Sequence, residues 1–424
     1  MSCSEWKEYR LDEIGDIVSG GTPSTKNEDY YGNEIPWITP KDLSGYDSKY
    51  ISKGERSITK LGLEKSSAKL LPKGTILFSS RAPIGYVAIA QEDLCTNQGF
   101  KNIVCNPQVA HNEFIYYRMK LAKKELESVA GGSTFKEVSG KVMKEFKIKL
   151  PSIEQQKRIA SILSSLDDKI ELNNEMNKTL EEMAQSIFKR WFADFEFPNE
   201  DGQPYKSSGG EMVESELGMI PKGWEVKTIN EMVNVTDYVA NGSFASLKNN
   251  VKQGEDEDYA ILIRLVDHNR GFKGPYMYVD ENGYNFLSKS KLYGGEIIIS
   301  NVGANAGTVF KAPYLQKPMT LGPNSIMILK STLDNYLYYY LTSDIGQNNL
   351  KGILGGSAQP KFNKTDFRNI QIVLPNDDII EKFNSVINTI IEKIELISRE
   401  NRIIESVRDN LLPKLISGQI NIDS

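Results

Sequence analysis

Leu150-Pro151-Ser152-Ile153-Glu154-Gln155-Gln156-Lys157-Arg158-Ile159-Ala160-Ser161-Ile162-Leu163 is answered 224 positions later by Leu374-Pro375-Asn376-Asp377-Asp378-Ile379-Ile380-Glu381-Lys382-Phe383-Asn384-Ser385-Val386-Ile387. Each stretch opens on proline, which suits a first helical turn because its missing amide proton has no partner there. Ser152 with Gln155 has the spacing of a capping box. Apolar residues then recur in steps of three and four, as Ile159, Leu163, Leu166 and Ile170, then Asn173 and Asn177, then Leu180, Ala184 and Ile187. The second copy runs Ile380, Phe383, Ile387, Ile390, Ile394, Ile397, Asn401, Ile404, Arg408 and Leu411. This is a coiled-coil seam with polar positions at its centre, where a buried asparagine fixes register and orientation. A stripe this apolar must be covered, so the two helices are expected to cover one another.

Upstream of each helix the chain also repeats. Trp6 followed by Leu11-Asp12-Glu13-Ile14 returns as Trp224 followed by Ile229-Asn230-Glu231-Met232, which reads as an opening strand turning into a short helix. Trp37-Ile38-Thr39-Pro40-Lys41-Asp42 matches Leu262-Ile263-Arg264-Leu265-Val266-Asp267, and Pro72 to Ser79 matches Tyr293 to Ser300. Each of these blocks carries the apolar, β-rich run of a buried strand. The offset is 218 at the tryptophans, 225 at Asp42 and Asp267, 221 in the third block and 224 in the helices. Shared strands with drifting loops imply one scaffold carrying two different ligand surfaces.

The predicted architecture is α+β, with two mixed α/β domains joined by two long helices that form an antiparallel coiled coil. Its boundaries are 1–150 and 223–374 for the domains, 151–193 and 375–418 for the helices, and 194–222 for a linker. That linker contains Pro198 to Pro204 and Ser207-Ser208-Gly209-Gly210, a turn-forming composition, although Trp191-Phe192 and Phe195-Glu196-Phe197 predict that its first part docks.

Composition narrows the function by exclusion. No apolar run is long enough to span a bilayer and no secretory h-region opens the chain, so cytoplasm is expected. Three cysteines (Cys3, Cys95, Cys105) and two histidines (His111, His268) have no zinc spacing, so no metal is expected. The net charge of −5 divides into +3 over residues 1–150 and −8 over the remainder, which permits DNA binding without predicting it. No Asn/Asp-Pro-Pro-aromatic loop of an amino-methyltransferase is present, and Gly20-Gly21-Thr22-Pro23-Ser24-Thr25-Lys26 lacks the P-loop spacing. Glu145-Phe146-Lys147, Glu225-Val226-Lys227 and Ser133-Thr134-Phe135-Lys136 are fragments that any chain this charged contains, and no catalytic residue is expected.

What recurs is glycine-rich, polar loop chemistry beside strands, at Gly20 to Lys26, Thr39 to Asp42, Ser79 to Gly85 and Gly131 to Lys136. Hydroxyls, backbone amides, Arg and Lys in such loops are the groups that meet phosphates and base edges. Arg81 and Arg264 stand at strand ends and are the first candidates for DNA contact, with Thr22, Ser24, Lys41, Lys136 and Lys361 beside them. A surface or intradomain ion pair is the competing reading of every one of these cations.

The chain resembles the specificity subunits of type I restriction-modification systems. The resemblance rests on Trp6 with Gly20-Gly21-Thr22-Pro23, on Ser79-Ser80-Arg81-Ala82-Pro83-Ile84-Gly85, on Leu150 to Gln156, and on Leu411-Leu412-Pro413-Lys414-Leu415-Ile416-Ser417-Gly418. It implies two target-recognition domains, each reading half of a split duplex-DNA sequence, with the helices setting the unread spacer. It also implies two modification subunits that carry S-adenosylmethionine and methylate adenine, and motor-nuclease restriction subunits. A stand-alone methyltransferase or nuclease, or a protein-binding coiled-coil scaffold, is the alternative. The second copy departs from the pattern at Pro375-Asn376-Asp377-Asp378 and at Ser300-Asn301-Val302-Gly303, where Gln155-Gln156 and the Ser-Arg turn have no match. About 30 helical residues span roughly 45 Å, a little over the ~34 Å turn of a duplex.

Overall fold

The computed structural model describes residues 6–131, 136–356, 359–420 and 422. Gly132 to Phe135 and Cys3 lie outside the described residues, as does Ser357. The chain forms two compact units, one comprising Met1–Asn177 with Leu396–Ser424 and the other Lys178–Glu395, so each unit takes part of both long helices.

The first unit is closed by its own ends. Lys7–Arg10 pairs antiparallel with Lys147–Leu150, with Lys7 opposite Leu150, and the Leu11 amide then donates to the Phe146 carbonyl at 3.0 Å. Between these ends lie a five-stranded sheet, in the order Gly15–Ser19, Lys101–Cys105, Ile76–Phe78, Val87–Ala90, Tyr50–Ile51, and a three-stranded sheet of Arg56–Ile58, Tyr31–Ile38 and Cys95–Thr96. Ile76, Phe78, Ile89 and Ile103 point from the larger sheet onto helix Asn112–Leu121 and onto Ile159 and Leu163 of the first long helix. Leu412, Leu415 and Ile416 from the end of the second long helix complete that core.

The second unit repeats this plan. Glu225–Thr228 pairs antiparallel with Gln371–Leu374, and the Ile229 amide donates to the Ile370 carbonyl at 3.0 Å. Its four-stranded sheet keeps the strand order of the first unit, Val235–Asp237, Ser325–Ile328, Ile297–Ser300, Val309–Lys311. In the other sheet Ala260–Ile263 runs parallel to Met319–Leu321, as Tyr31–Ile38 runs parallel to Cys95–Thr96. The mixed α/β class and the duplicated layout therefore agree with the sequence reading.

The long helices span Ile153–Phe188, continued by a π-helical turn Lys189–Ala193, and Asp377–Ile416. The Gln155 amide donates to the Ser152 hydroxyl at 3.3 Å, so the expected cap forms. Ile159, Leu163, Phe383 and Ile387 are fully buried and Ile170 and Ile390 nearly so, whereas Leu166, Asn177, Leu180, Ile187, Ile394, Ile404 and Leu411 are half-buried. In the first unit Asp167 accepts from Arg408 at 2.8 Å, Asn173 donates to Asn401 at 2.8 Å and Asn177 donates to Ser398 at 3.2 Å. Partner numbers fall as helix numbers rise, so these two stretches run in opposite directions. Asn401 meets Asn173 and Asn174, and not its repeat mate Asn177.

The 194–222 segment is more ordered than its composition suggests. Phe197 stacks between Tyr205 and Trp224 at 4.5 and 5.0 Å, and Met212–Ser215 forms a hairpin with Gly218–Pro221. No helix among the described residues is long and apolar enough to cross a membrane.

Candidate nucleic-acid interface

In the first unit the segment Thr96-Asn97-Gln98-Gly99-Phe100 carries the chain from the smaller sheet to the larger one, and the polar loops converge on it. The Gly21 amide donates to the Thr96 carbonyl at 2.9 Å, and the Thr22 hydroxyl donates to the side-chain carbonyl of Gln98. The Asn97 amide donates to the Ile38 carbonyl at 2.9 Å, which brings the Thr39–Asp42 turn alongside. The Ser80 amide donates to the Gly99 carbonyl at 2.7 Å, and the Ser80 carbonyl in turn accepts from Val138 at 2.9 Å, next to Glu137, whose backbone pairs with Gly131. Segments distant in the sequence, at Gly21, Ile38, Ser80 and Val138, thus meet at one end of the strands.

The local chemistry explains the loop sequences. A Cβ on Gly20 would lie 2.0 Å from the Asn97 carbonyl oxygen, so this glycine permits a close backbone crossing. Asp42 accepts from the Thr39 amide and hydroxyl, both at 2.7 Å, and from the Glu55 amide at 2.7 Å. The carboxylate that closes that sequence block is therefore a turn cap.

The second unit rebuilds the junction with different side chains on Leu321-Gly322-Pro323-Asn324-Ser325. The Gly322 amide donates to the Ile263 carbonyl at 2.8 Å, the Asn301 amide to the Asn324 carbonyl at 3.1 Å, and the Asn301 carbonyl accepts from Phe362 at 3.1 Å. These are the bonds of Asn97, Ser80 and Val138 again. Even the turn that looked lost in the sequence survives as backbone. The Gly307 amide closes onto the Ser300 carbonyl at 2.8 Å as Gly85 closes onto Ser79 at 3.0 Å, both glycines at φ +98. Asn301 simply stands where Ser80 stands, and Gly303 to Gly307 is part of a tight turn.

The predicted contact residues are placed as follows. Ser24 is exposed, Thr22 half-buried, and Lys136 and Lys361 exposed on the loops that return to the two junctions. Arg81 lies 3.5 Å from Glu137, which also lies 3.5 Å from the buried Lys101. Lys41 pairs with Glu55 at 2.7 Å with both side chains largely in solvent, and that hydrogen bond and charge raise the lysine pKa. Arg264 is held most firmly: Asp267, 0% exposed, accepts from its amide at 2.8 Å and from its guanidinium at 3.1 and 3.0 Å. Its guanidinium is thus engaged inside the unit, whereas Lys136 and Lys361 make no ion pair among the described residues. Sequence reasoning missed the junction segments themselves and the exposed Phe244 beside the second one. The Asn-Gln-Gly and Gly-Pro-Asn triplets between β-rich runs were the available signal.

Gln156, one of the two glutamines without a match in the second copy, is an internal lock and not an exposed contact. Gln156 is 1% exposed; its carbonyl accepts from the His111 amide at 2.9 Å, and its amide donates to the Val109 and Pro151 carbonyls at 3.0 Å each. The counterpart Ile380 is 2% exposed. The departure in the second copy is hydrocarbon in place of a buried amide, and it alters no exposed surface at this position. Among the described residues no group of three His, Cys, Asp or Glu side chains is placed to hold a metal ion.

The sequence profile of the type I restriction modification DNA specificity domain matches residues 3–182 and again 221–406. The chain belongs to that specificity family. The specificity subunit of the type I restriction enzyme MjaIX of Methanocaldococcus jannaschii is 35% identical over 439 residues, covering 99% of this chain and 94% of the relative. That of HindI of Haemophilus influenzae is 26% identical over 486 residues, covering 98% and 100%. The crystal structure of a type I restriction-modification S subunit from M. genitalium has a TM-score of 0.55 at 16% identity over 98% of this chain and 97% of that one, a likeness of fold. The two profile matches fall on the two halves of the repeat, so each half of this specificity-family chain carries one junction of loops.

Proposed function

We propose that the chain is the DNA sequence-recognition subunit of a type I restriction-modification complex, and that each unit reads one half of a split target through the loops gathered at its junction. The observation that carries this reading is the repetition of one backbone hydrogen-bond pattern, at Ser80-Gly99-Val138 and at Asn301-Asn324-Phe362, beneath different side chains. A common frame with exchanged side chains is the arrangement expected of two readers of different base sequences. On this reading the long helices pair as an antiparallel coiled coil and hold the unread spacer. Two modification subunits supply S-adenosylmethionine and methylate adenine, restriction subunits cut unmethylated DNA, and this chain contributes no catalytic side chain. Its place is with the cell's DNA, in the cytoplasm.

Methylome sequencing of cells that express the chain with its modification partner tests this. The expected result is methylated adenine in a split motif, with Arg81→Ala together with Lys136→Ala relaxing one half of the motif only. A motif without a gap, or equal relaxation of both halves, refutes the division of labour. Methylation by the purified chain alone favours the enzyme alternative.

A further inference from the structure

Phe244 is 83% exposed, yet the helix it opens, Phe244–Asn250, is firmly seated. The Ser243 hydroxyl caps that helix by accepting from the Ser246 amide at 3.2 Å, and Leu247 and Val251 are buried in an apolar cluster with Leu262 and Leu287. The ring takes no part in that cluster, so packing does not account for a phenylalanine at this position. It lines a groove of about 550 Å³ together with Lys248, one helical turn on, and with Asn301 and Asn324 of the junction. Asn324 sits at φ +65, a conformation that asparagine tolerates, with its carbonyl fixed by the Asn301 amide. Its side-chain amide is exposed and makes no hydrogen bond among the described residues. In the first unit the loop at the corresponding strand end, Gly20 to Lys26, is polar.

We propose that this groove of the second unit reads A·T pairs in the major groove of DNA, with the Phe244 ring against a thymine 5-methyl group and the Asn324 amide on the N6/N7 edge of an adenine. The assignment rests on the reading of the chain as a DNA-recognition subunit and adds which bases one unit selects and by which side chains. Apolar contact identifies thymine because its methyl is the one hydrocarbon group on the major-groove edge, and an amide matches the donor-acceptor pair of adenine. Lys248, exposed and without an ion pair among the described residues, supplies a phosphate contact one turn away.

The test uses the complex with its modification partner and duplexes carrying its methylated split target. Thymines of the half-site assigned to the second unit are replaced one at a time by uracil, and adenines by 7-deazaadenine. One thymine-to-uracil change is expected to weaken wild-type binding about fourfold, the worth of one buried methyl. Phe244→Ala should bind about as weakly as that and be indifferent to the same change. Asn324→Ala should lose about tenfold and be indifferent to deazaadenine at one position. Both variants should leave discrimination at the other half-site intact, which a misfolded second unit attached to the same frame would not do. Wild-type binding unaffected by uracil at every position, or a half-site without A·T pairs, overturns the assignment while leaving the recognition function standing. A complex that methylates no split target overturns both.

Discussion

Replacing Gln156 by glutamate converts a buried hydrogen-bond lock into a titrating one. In the native protein the Gln156 side-chain carbonyl takes the His111 amide at 2.9 Å, and its amide group faces two carbonyl oxygens, of Val109 and Pro151, at 3.0 Å each. Removing all three bonds with Gln156→Ala should destabilise the first unit by about 3 kcal/mol, at roughly 1 kcal/mol per net bond, with the orphaned His111 amide adding to this. For a unit of this size that is a fall of roughly 6–12 °C in its thermal midpoint. Gln156→Glu keeps the acceptor for His111 but sets a carboxylate oxygen against two carbonyls at a site 1% exposed. Burial and those dipoles favour the protonated acid, which can donate, so the folded-state pKa lies above the unfolded value of about 4.3. The native state then holds a proton that the unfolded chain releases. Relative to wild type, stability is highest below about pH 4.3 and falls by up to about 1.4 kcal/mol per pH unit until the raised folded pKa is passed, beyond which it is level. Urea unfolding from pH 4 to 8, followed by amide exchange in peptides of the first unit, measures this. A constant difference between Gln156→Glu and wild type across that range refutes the reasoning, as does a neutral Gln156→Ala. The reciprocal change Ile380→Gln places an amide where the second unit has hydrocarbon and should destabilise it by about 2 kcal/mol.

Two further outcomes follow from buried charge. Lys49, 3% exposed, lies 3.0 Å from Glu113 and 3.1 Å from Asp168; burial pushes the Glu113 carboxyl up, but hydrogen bonds from Tyr50 and Lys49 and the lysine charge outweigh it and leave the pKa lowered. The stability Glu113 contributes is therefore present above its unfolded pKa of about 4.3 and is lost as pH falls through the lower folded value. Lys49→Met should lower stability at neutral pH by about 2–3 kcal/mol, the solvated Asp168 tempering the loss, and should flatten that acid limb in a pH series of thermal melts. An unchanged acid limb counts against the cluster. Asp267→Ala should lower the thermal midpoint of the second unit by several degrees, through about 2 kcal/mol of lost capping. Because it also releases the Arg264 guanidinium, it should steepen the salt dependence of DNA binding, and an unaltered slope excludes Arg264 as a reserve phosphate contact.

The sequence revealed whatever repeats with a fixed period. Helix register was legible from Ile159 to Ile187 and from Phe383 to Leu411 because a helix face is a local pattern. The strands were legible as apolar runs, since both faces of the main sheets are covered. The junctions were not legible, because Ser80 meets Gly99 and Asn301 meets Asn324 through backbone atoms that any residue supplies. For the same reason the Ser-Arg turn looked absent from the second unit although its backbone hydrogen bonds are present. Side-chain pairing was equally hidden: Arg264 and Arg81 read alike as strand-end cations. Only the structure places Asp267 around the first, at 3.0 Å, and leaves the second at 3.5 Å from a shared Glu137.

The clasp in which Lys7 faces Leu150 and Glu225 faces Leu374 makes each recognition module a pendant whose entry and exit lie side by side. Chain length inside a pendant is thermodynamically inexpensive, since doubling a closed loop costs only about 0.6 kcal/mol. An insertion between Thr39 and Ser79, or between Asp267 and Ser300, leaves the start of the following helix where it was. A clasp of this kind lets the loops within a module lengthen or change while the strand that leads into the following helix stays paired.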